Sequence, residues 1–562
     1  METIRGARVR MIAGLAAVSL GSVTWSAAAL AQSASGANTN ATAATNAAST
    51  TAATNNTTAA TAANRGRGGG SNGGGGSSRG GGTDPGVRGG DPGAGGALQG
   101  LNTTEQQFFE AAKGVFNEVD AVPEGLGPRF NLDSCAGCHS QPTTGGSSPA
   151  TNPQVAIATA AGGKNTVPSF ITADGPIREA RFVRNPDGSP DGSVHGLFVI
   201  SGRSDAPGCN ITQPNFAQQV ARNNVTFRIP TPLFGLGLVE NVSEGALQSS
   251  LAANAQQKRS MGISGHFNIN GNDTTIARFG WKAQNKSLLL FAGEAYNVEM
   301  GITNDLFQNE RESDPNCQFN ATPESAIPLQ AEDTGSDAGN FQSDIEMFSS
   351  YMRLLAPPTP AGSATTPVAQ TTGASDQTAA AQTTGAASTT ATTASTASTM
   401  VASAAADVSS VMTAAAGSTA STAAQSSTSS SSTATVARGS QVFNNIGCQL
   451  CHTQQFTTSK AQLTGQSNVT IQPFSDFAVH DMGSGLADGV TQGTANGNEF
   501  RTAPLWGVGQ RIFFLHDGRT KDMAVAIQQH ASRGSEANTV INNYNLLSQT
   551  DQQSLLNYLR SL

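Results

Sequence analysis

The chain has 562 residues, a formal net charge of -8, 12% charged residues and 37% hydrophobic residues. That length allows several domains, and the low charge density reflects long Ala, Thr, Ser, Asn and Gly tracts. After the N-terminus no run reaches ~18 apolar residues, which argues against a bilayer span, and no basic block exceeds short runs such as Arg65-Gly66-Arg67, which argues against nucleic acid.

Taken in chain order, Arg5, Arg8 and Arg10 precede an apolar run from Met11 to about Trp25, followed by Ala29-Leu30-Ala31. This is the pattern of a cleaved secretory signal peptide over residues 1–31. It predicts export, in a bacterium to the periplasm, with no stable membrane span after cleavage and an oxidising environment for cysteines. Residues 32–97 are rich in Ala, Thr and Asn, then Gly, and hold almost no large apolar side chains. Such a segment cannot offset its ordering entropy by burial and is expected to be a disordered spacer.

The first folded piece is placed at 98–356. It opens on a helical pattern from Thr103 with Phe108, Phe109, Ala112, Val115 and Phe116 on one face. Its middle alternates (Phe198, Val199, Ile200; Val225, Phe227, Ile229) and is rich in Gly, Pro and Asn, which predicts loops and short strands. Residues 357–435 form a second Ala/Thr/Ser-rich tract without an apolar stripe and are expected to be a linker. The second folded piece, 436–562, starts with a helical run from Ala437 to Ile446. It ends with another from Asp551, carrying Leu555, Leu556, Tyr558, Leu559 and Leu562.

Four of the six cysteines lie in two C-x-x-C-H motifs, Cys135-Ala136-Gly137-Cys138-His139 and Cys448-Gln449-Leu450-Cys451-His452. This is the attachment signature of a c-type haem. Two thiols at this spacing reach the two vinyl groups of one porphyrin edge, and the following His turns under the ring as the proximal iron ligand. A zinc site would need four ligands close together, and each motif stands alone. Two covalently bound haems are therefore predicted, with His139 and His452 on their irons. Cys209 and Cys317 remain, and in an oxidising compartment they are most simply a disulfide. The sixth iron position separates electron transfer from ligand chemistry. The other histidines, His195, His266, His480, His516 and His530, are the candidates for it.

Further stretches carry a resemblance. Phe130 to Ser134, Ile229 to Ser243, Arg278 to Ala283, Asn297 to Thr303, His480 to Gly483 and Phe514 to His530 resemble the bacterial di-haem cytochrome c peroxidase superfamily. Within it they are most like the branch called di-haem oxidoreductases or thiol oxidoreductases. The resemblance implies a mainly α-helical fold of two cytochrome c-like domains, the first with irregular and short β insertions. It implies that Trp281 is an electron relay between the haems. Glu299, in Val298-Glu299-Met300, is then the distal acid/base for peroxide, which is general acid–base work. His516-Asp517-Gly518-Arg519 resembles the superfamily's H-D-G turn. Counting on from it makes His530 the distal ligand of the second haem, with Met523 and Met482 as fallbacks.

The sequence also departs from the peroxidases. No His occupies their distal position between Thr151 and Ala160, which leaves the first haem open or ligated by His195. Their distal Gln has no visible counterpart near Phe291. Arg511 and Phe513 stand at positions of their interhaem calcium site, so calcium is doubtful. The reading is a peroxidase-like enzyme that reduces peroxide at the N-terminal haem. Electrons come through the C-terminal haem from a donor such as a small cytochrome or a cupredoxin. The alternatives are a non-enzymatic electron carrier and a di-haem oxygenase like those that cleave rubber. Once haem and disulfide are assigned, no cysteine is left for thiol catalysis.

Overall fold

The computed structural model describes residues 81–327, 342–361 and 422–562, with 422–432 described by backbone alone. The signal-peptide region, most of the spacer and most of the linker lie outside the described residues. All described residues belong to one compact unit.

Helices dominate. Those in the first half that bear on the site are α1 (Thr103–Phe116), the single turn α2 (Cys135–Cys138), α3 (Leu288–Ala295) and α4 (Asp344–Leu354). Asn102 and Glu105 close a reciprocal capping box at the start of α1, each side chain accepting the other's backbone N–H at 2.9 Å, which satisfies two otherwise orphaned donors. Phe109, Ala112 and Phe116 form the buried face of α1. Against it Tyr351 of α4 stacks on Phe109 at 5.4 Å and meets Phe116 at 4.7 Å.

In the second half α5 (Thr422–Ile446) crosses α8 (Gln549–Ser561), and α6 (Met523–Gln528) and α7 (Asn538–Asn545) complete the packing. Gly439 sets the approach of α5 to α8: a Cβ there would stand 2.0 Å from the Ser554 carbonyl oxygen. Among the described residues no helix is long and apolar enough to cross a membrane.

The strands are short. In the first half β1 (Arg129–Phe130) pairs with β4 (Phe198–Val199), and β2 (Glu179–Phe182) lies between β3 (Val194–His195) and β5 (Val225–Arg228). In the second half β6 (Val479–Asp481) pairs with β7 (Glu499–Arg501). The expected strands around Phe198 and Val225 are thus present, as small two- and three-stranded sheets.

The apolar clusters do not follow the boundary between the two sequence pieces. The largest takes most of its side chains from the first piece but includes Phe456, Ile471, Phe477 and Trp506 of the second. The next belongs to the second piece but includes Ile263 of the first.

Two expected boundaries move. Residues 81–97, assigned to the disordered spacer, lie against the C-terminal helix. Asp84 pairs with Arg560 at 2.7 Å, Gly82 N–H donates to Gln552 at 2.9 Å, and Arg88 N–H donates to the Gly509 carbonyl at 2.8 Å. Polar and backbone bonds replace the apolar burial the segment lacks. The linker also narrows: Thr359 and Ala361 donate to the Gly93 and Ser561 carbonyls, and α5 begins at Thr422.

Candidate functional site

Two cavities account for the two C-x-x-C-H motifs, and each is built the same way. A helix with a Phe in its last turn precedes each motif, and that ring lies near the motif histidine. Phe116 is 6.2 Å from His139, and Phe443 is 6.3 Å from His452. Each histidine then ties Nδ1 to a backbone carbonyl, His139 to Gly146 at 3.0 Å and His452 to Phe474 at 2.9 Å. Nδ1 is therefore the protonated nitrogen, and the Nε2 lone pair is left for a metal. Burial holds both imidazoles down to about 4, so they are neutral at physiological pH. Tyr351 supports the first motif from α4 through a bond to the Thr144 carbonyl at 3.0 Å.

The C-terminal cavity, of about 220 Å³, is lined by Cys448, Cys451, His452 and His530 among many apolar side chains, including Phe443 and Leu505. His530 follows α6, whose start is capped by Asp522. Its Nδ1 meets the Ala526 carbonyl at 2.8 Å, so its Nε2 is also free. Met482 and Met523 line the same cavity.

The N-terminal cavity, of about 110 Å³, is more polar. Cys138, His139, Trp281 and Glu299 face it, with Glu179 and Gln284. Glu299 stands in a wide π-helical turn, Tyr296–Met300, that continues α3, a form frequent at functional sites. The turn ends at Gly301, whose φ is +82°, and a Cβ there would lie 2.5 Å from the Arg129 carbonyl oxygen. Asn131, just after β1, grips Glu299 twice. Its backbone N–H donates to the Glu299 carbonyl and its side-chain amide donates to Oε2, both at 2.6 Å.

Sequence reasoning missed Glu179. It lies on β2 beside Arg181, two positions on and therefore on the same face, and the two pair at 2.6 Å. Across the sheet Glu179 is in register with Arg228. Its carboxyl also bonds the Glu299 carboxyl. Burial, and then the Glu179 charge and hydrogen bond, push Glu299 well above the usual carboxylate range. Burial also disfavours charge on Glu179, but Arg181, then the hydrogen bond with Glu299 and the Arg228 charge outweigh it and lower its pKa. Of the two, Glu299 thus holds a proton more readily and Glu179 the charge. Gln284 was missed as well. It comes seven residues before Phe291, and the turn from Phe279 to Asn285 brings it to the cavity.

Trp281 lines both cavities. Its Nε1–H donates to the Ile229 carbonyl at 2.8 Å, which fixes the indole. His195, considered as a ligand of the first haem, is not among the residues lining that cavity. Its Nε2 is bound to Asp191 at 2.9 Å and its ring stacks on Phe182 at 3.8 Å. His266 pairs with Glu499, and His480 is clamped between Asp476 and Glu536. Cys451, Asp476 and His480 lie close enough to hold a metal ion, but both ring nitrogens of His480 are already taken. Cys209 and Cys317 form a disulfide, with Cα atoms 4.6 Å apart.

The donors present fit a haem in each cavity. Each motif offers two cysteines outside any disulfide and a neutral imidazole with Nε2 free, and the second cavity offers a further such imidazole on His530.

No curated protein and no solved structure matches the chain. The family described as "Di-haem oxidoreductase, putative peroxidase" matches residues 179–407 and 368–562. Because those stretches together span residues 179–562, the chain belongs to the di-haem oxidoreductase family.

Proposed function

We propose that the protein is an exported di-haem c-type cytochrome of two cytochrome c-like halves that reduces peroxide at its N-terminal centre. Cys135 with Cys138, and Cys448 with Cys451, hold the haems by thioether bonds. His139 and His452 would each hold an iron, and His530 would be a further ligand in the C-terminal cavity. When bound, the haems supply the redox centres that exchange electrons and bind the oxidant.

The observation that carries the reading is Glu299, bonded to Asn131 and Glu179 and facing the same cavity as His139. With Glu299 the readier holder of a proton and Glu179 of the charge, the Glu179–Glu299 pair can accept a proton from one peroxide oxygen and return it to the departing one. Arg181 keeps the charge of the pair on Glu179. Trp281, in the wall of both cavities, is the relay for electrons reaching the first from the second. A small periplasmic cytochrome or cupredoxin is the expected donor. An electron carrier would need a sixth ligand at the first haem, and among the described residues His139 is the only histidine lining that cavity.

The test is the ferric EPR spectrum with and without hydrogen peroxide, after the covalent haem content has been measured. One high-spin centre that reacts with peroxide and one low-spin centre are expected. Two low-spin centres that ignore peroxide would leave an electron carrier. A resting dioxygen adduct together with cleavage of polyisoprene would leave an oxygenase.

A further inference from the structure

Among the described residues four buried guanidinium groups are paired with carboxylates, Arg181 with Glu179, Arg203 with Asp205, Arg228 with Asp488 and Arg560 with Asp84, and Arg278, which donates to the Val239 and Val242 carbonyls, has the charges of Glu244 and Glu240 near it. Arg501 and Arg511 break the pattern. Both are buried, at 7% and 9% exposure, and neither has an ion pair among the described residues. Arg501 uses Nε to reach the Gly280 carbonyl at 2.8 Å, and its backbone N–H donates to the Trp281 carbonyl at 2.8 Å. No side-chain hydrogen bond of Arg511 is found among the described residues. Both line the C-terminal cavity and a small cleft that also contains Trp281 and Trp506.

Two charged groups so placed are costly. Burial pushes Arg501 down to about 10, with the like charge of Arg511 adding to it, and burial alone does the same to Arg511. A buried charge without a partner loses its hydration and gains no ion pair in return. An anion in the cavity would offset that cost, and guanidinium forks match carboxylates.

We propose that Arg501 and Arg511 bind the carboxylates of the haem held by Cys448, Cys451 and His452, so that cofactor carboxylates complete the ion pairing the polypeptide leaves open beside Trp281. This rests on the haem reading of the second motif. It gives the chain a fixed cationic element in the wall next to Trp281, made of protein side chains.

The test uses the full-length, matured protein. Covalent haem content is measured first, then the midpoint potential of the C-terminal haem by spectroelectrochemistry, in the parent, Arg511→Gln, Arg501→Gln and Arg511→Lys. Loss of a cation beside the haem favours the oxidised state, so both Gln variants should show a lower potential at unchanged haem content. Arg511→Lys should recover part of the shift. Added acetate should change neither spectrum nor potential in the parent, because the haem's own carboxylates fill the site. Should a Gln variant fail to accumulate, resonance Raman of the parent and Arg511→Lys decides. The propionate bending bands should sit at hydrogen-bonded positions in the parent and move in the Lys variant.

Unchanged potentials with two haems present, saturable binding of acetate, or propionate bands that do not respond to Lys would overturn the proposal. Absence of covalent haem would overturn the haem reading itself, and this proposal with it.

Discussion

Glu299 and Glu179 bond carboxyl to carboxyl at the wall of the N-terminal cavity. One comes from a π-helical turn after α3 and the other from β2, 120 positions away in sequence. Glu299→Gln keeps the shape and the Asn131 contact but removes the proton exchange. A loss of about 10²- to 10⁴-fold in the rate of peroxide reaction is expected, measured by stopped flow. Glu179→Gln should act differently. Burial raises the Glu299 pKa first, and the Glu179 charge raises it further. Removing that charge lowers it, so Glu299 gives up its proton sooner as pH rises. The alkaline limb of the rate profile should move to lower pH, and an unmoved limb would rule out coupling.

What was legible in the sequence depended on how local the signal was. The C-x-x-C-H motifs are local, and so is the 3.6-residue period that places α1 at Thr103–Phe116. Glu179 carries no such signal. Its meaning comes from strand register, which sets it against Arg228, and from the turn that brings Glu299 to it. His195, one of two readings of the first haem's sixth position, shows the converse: its Nε2 is bound to Asp191, four positions earlier, a pairing the sequence did not signal.

The segment 81–97 was hidden by composition, since burial of apolar surface is not what holds it. Asp84 accepts two bonds from Arg560 and one, at 2.7 Å, from the backbone N–H of Met523 at the head of α6. Both charged side chains are nearly buried, at 8% and 5% exposure. Asp84→Ala strands the Arg560 charge and should cost about 3 kcal/mol, the low end for a broken buried pair. Arg560 keeps its bonds to the Gly509 and Arg511 carbonyls. Urea unfolding checks this, and a change within error would mean that the strap adds nothing to the fold.

The disulfide closes a sequence separation of 108 residues. Replacing Cys209 and Cys317 together with Ser should cost about 2–5 kcal/mol through the freed chain entropy of the unfolded state. Covalent haem content should stay the same, because all four motif cysteines lie elsewhere. Mispaired thiols or lost haem in the double variant would contradict that separation of roles.

Asp120 tests the support beneath Glu299. It accepts a hydrogen bond from the Tyr296 hydroxyl at 3.1 Å, and Tyr296 opens the turn that carries Glu299. Burial raises its pKa to about 6 despite that bond, with Asp344, Glu118 and Glu124 adding to the rise. A carboxyl raised above its unfolded value favours the fold when protonated. That stability is fully present below about pH 4 and is lost as pH rises through about 6. Asp120→Asn should therefore unfold at a higher temperature than the parent at pH 8, by about 1 kcal/mol after allowance for partial exposure. The advantage should shrink towards pH 4. A gap that does not change with pH would assign the effect to something other than the Asp120 charge.

Trp281 joins the two cavities physically, and its indole N–H fixes its plane through Ile229. Around it stand Ile229, Leu486, Phe500 and Phe513, an apolar set that keeps water away from the shared wall. His516 meets the indole edge-on at 6.4 Å and stacks on Phe500 at 4.2 Å, so the wall is aromatic on its C-terminal side too. Trp281→Phe removes the N–H, leaves the Ile229 carbonyl short of a donor and thins the wall, at a stability cost of about 1–3 kcal/mol. If Trp281 is the relay, electron equilibration between the halves should slow markedly after a flash-reduction pulse, while the first encounter with peroxide keeps its rate, because Glu299 and Glu179 are untouched. Equal slowing of both steps would mean that the substitution acts by loosening the wall. Neither step slowing would mean that electrons cross by another route, with the aromatic pair His516 and Phe500 the first place to look.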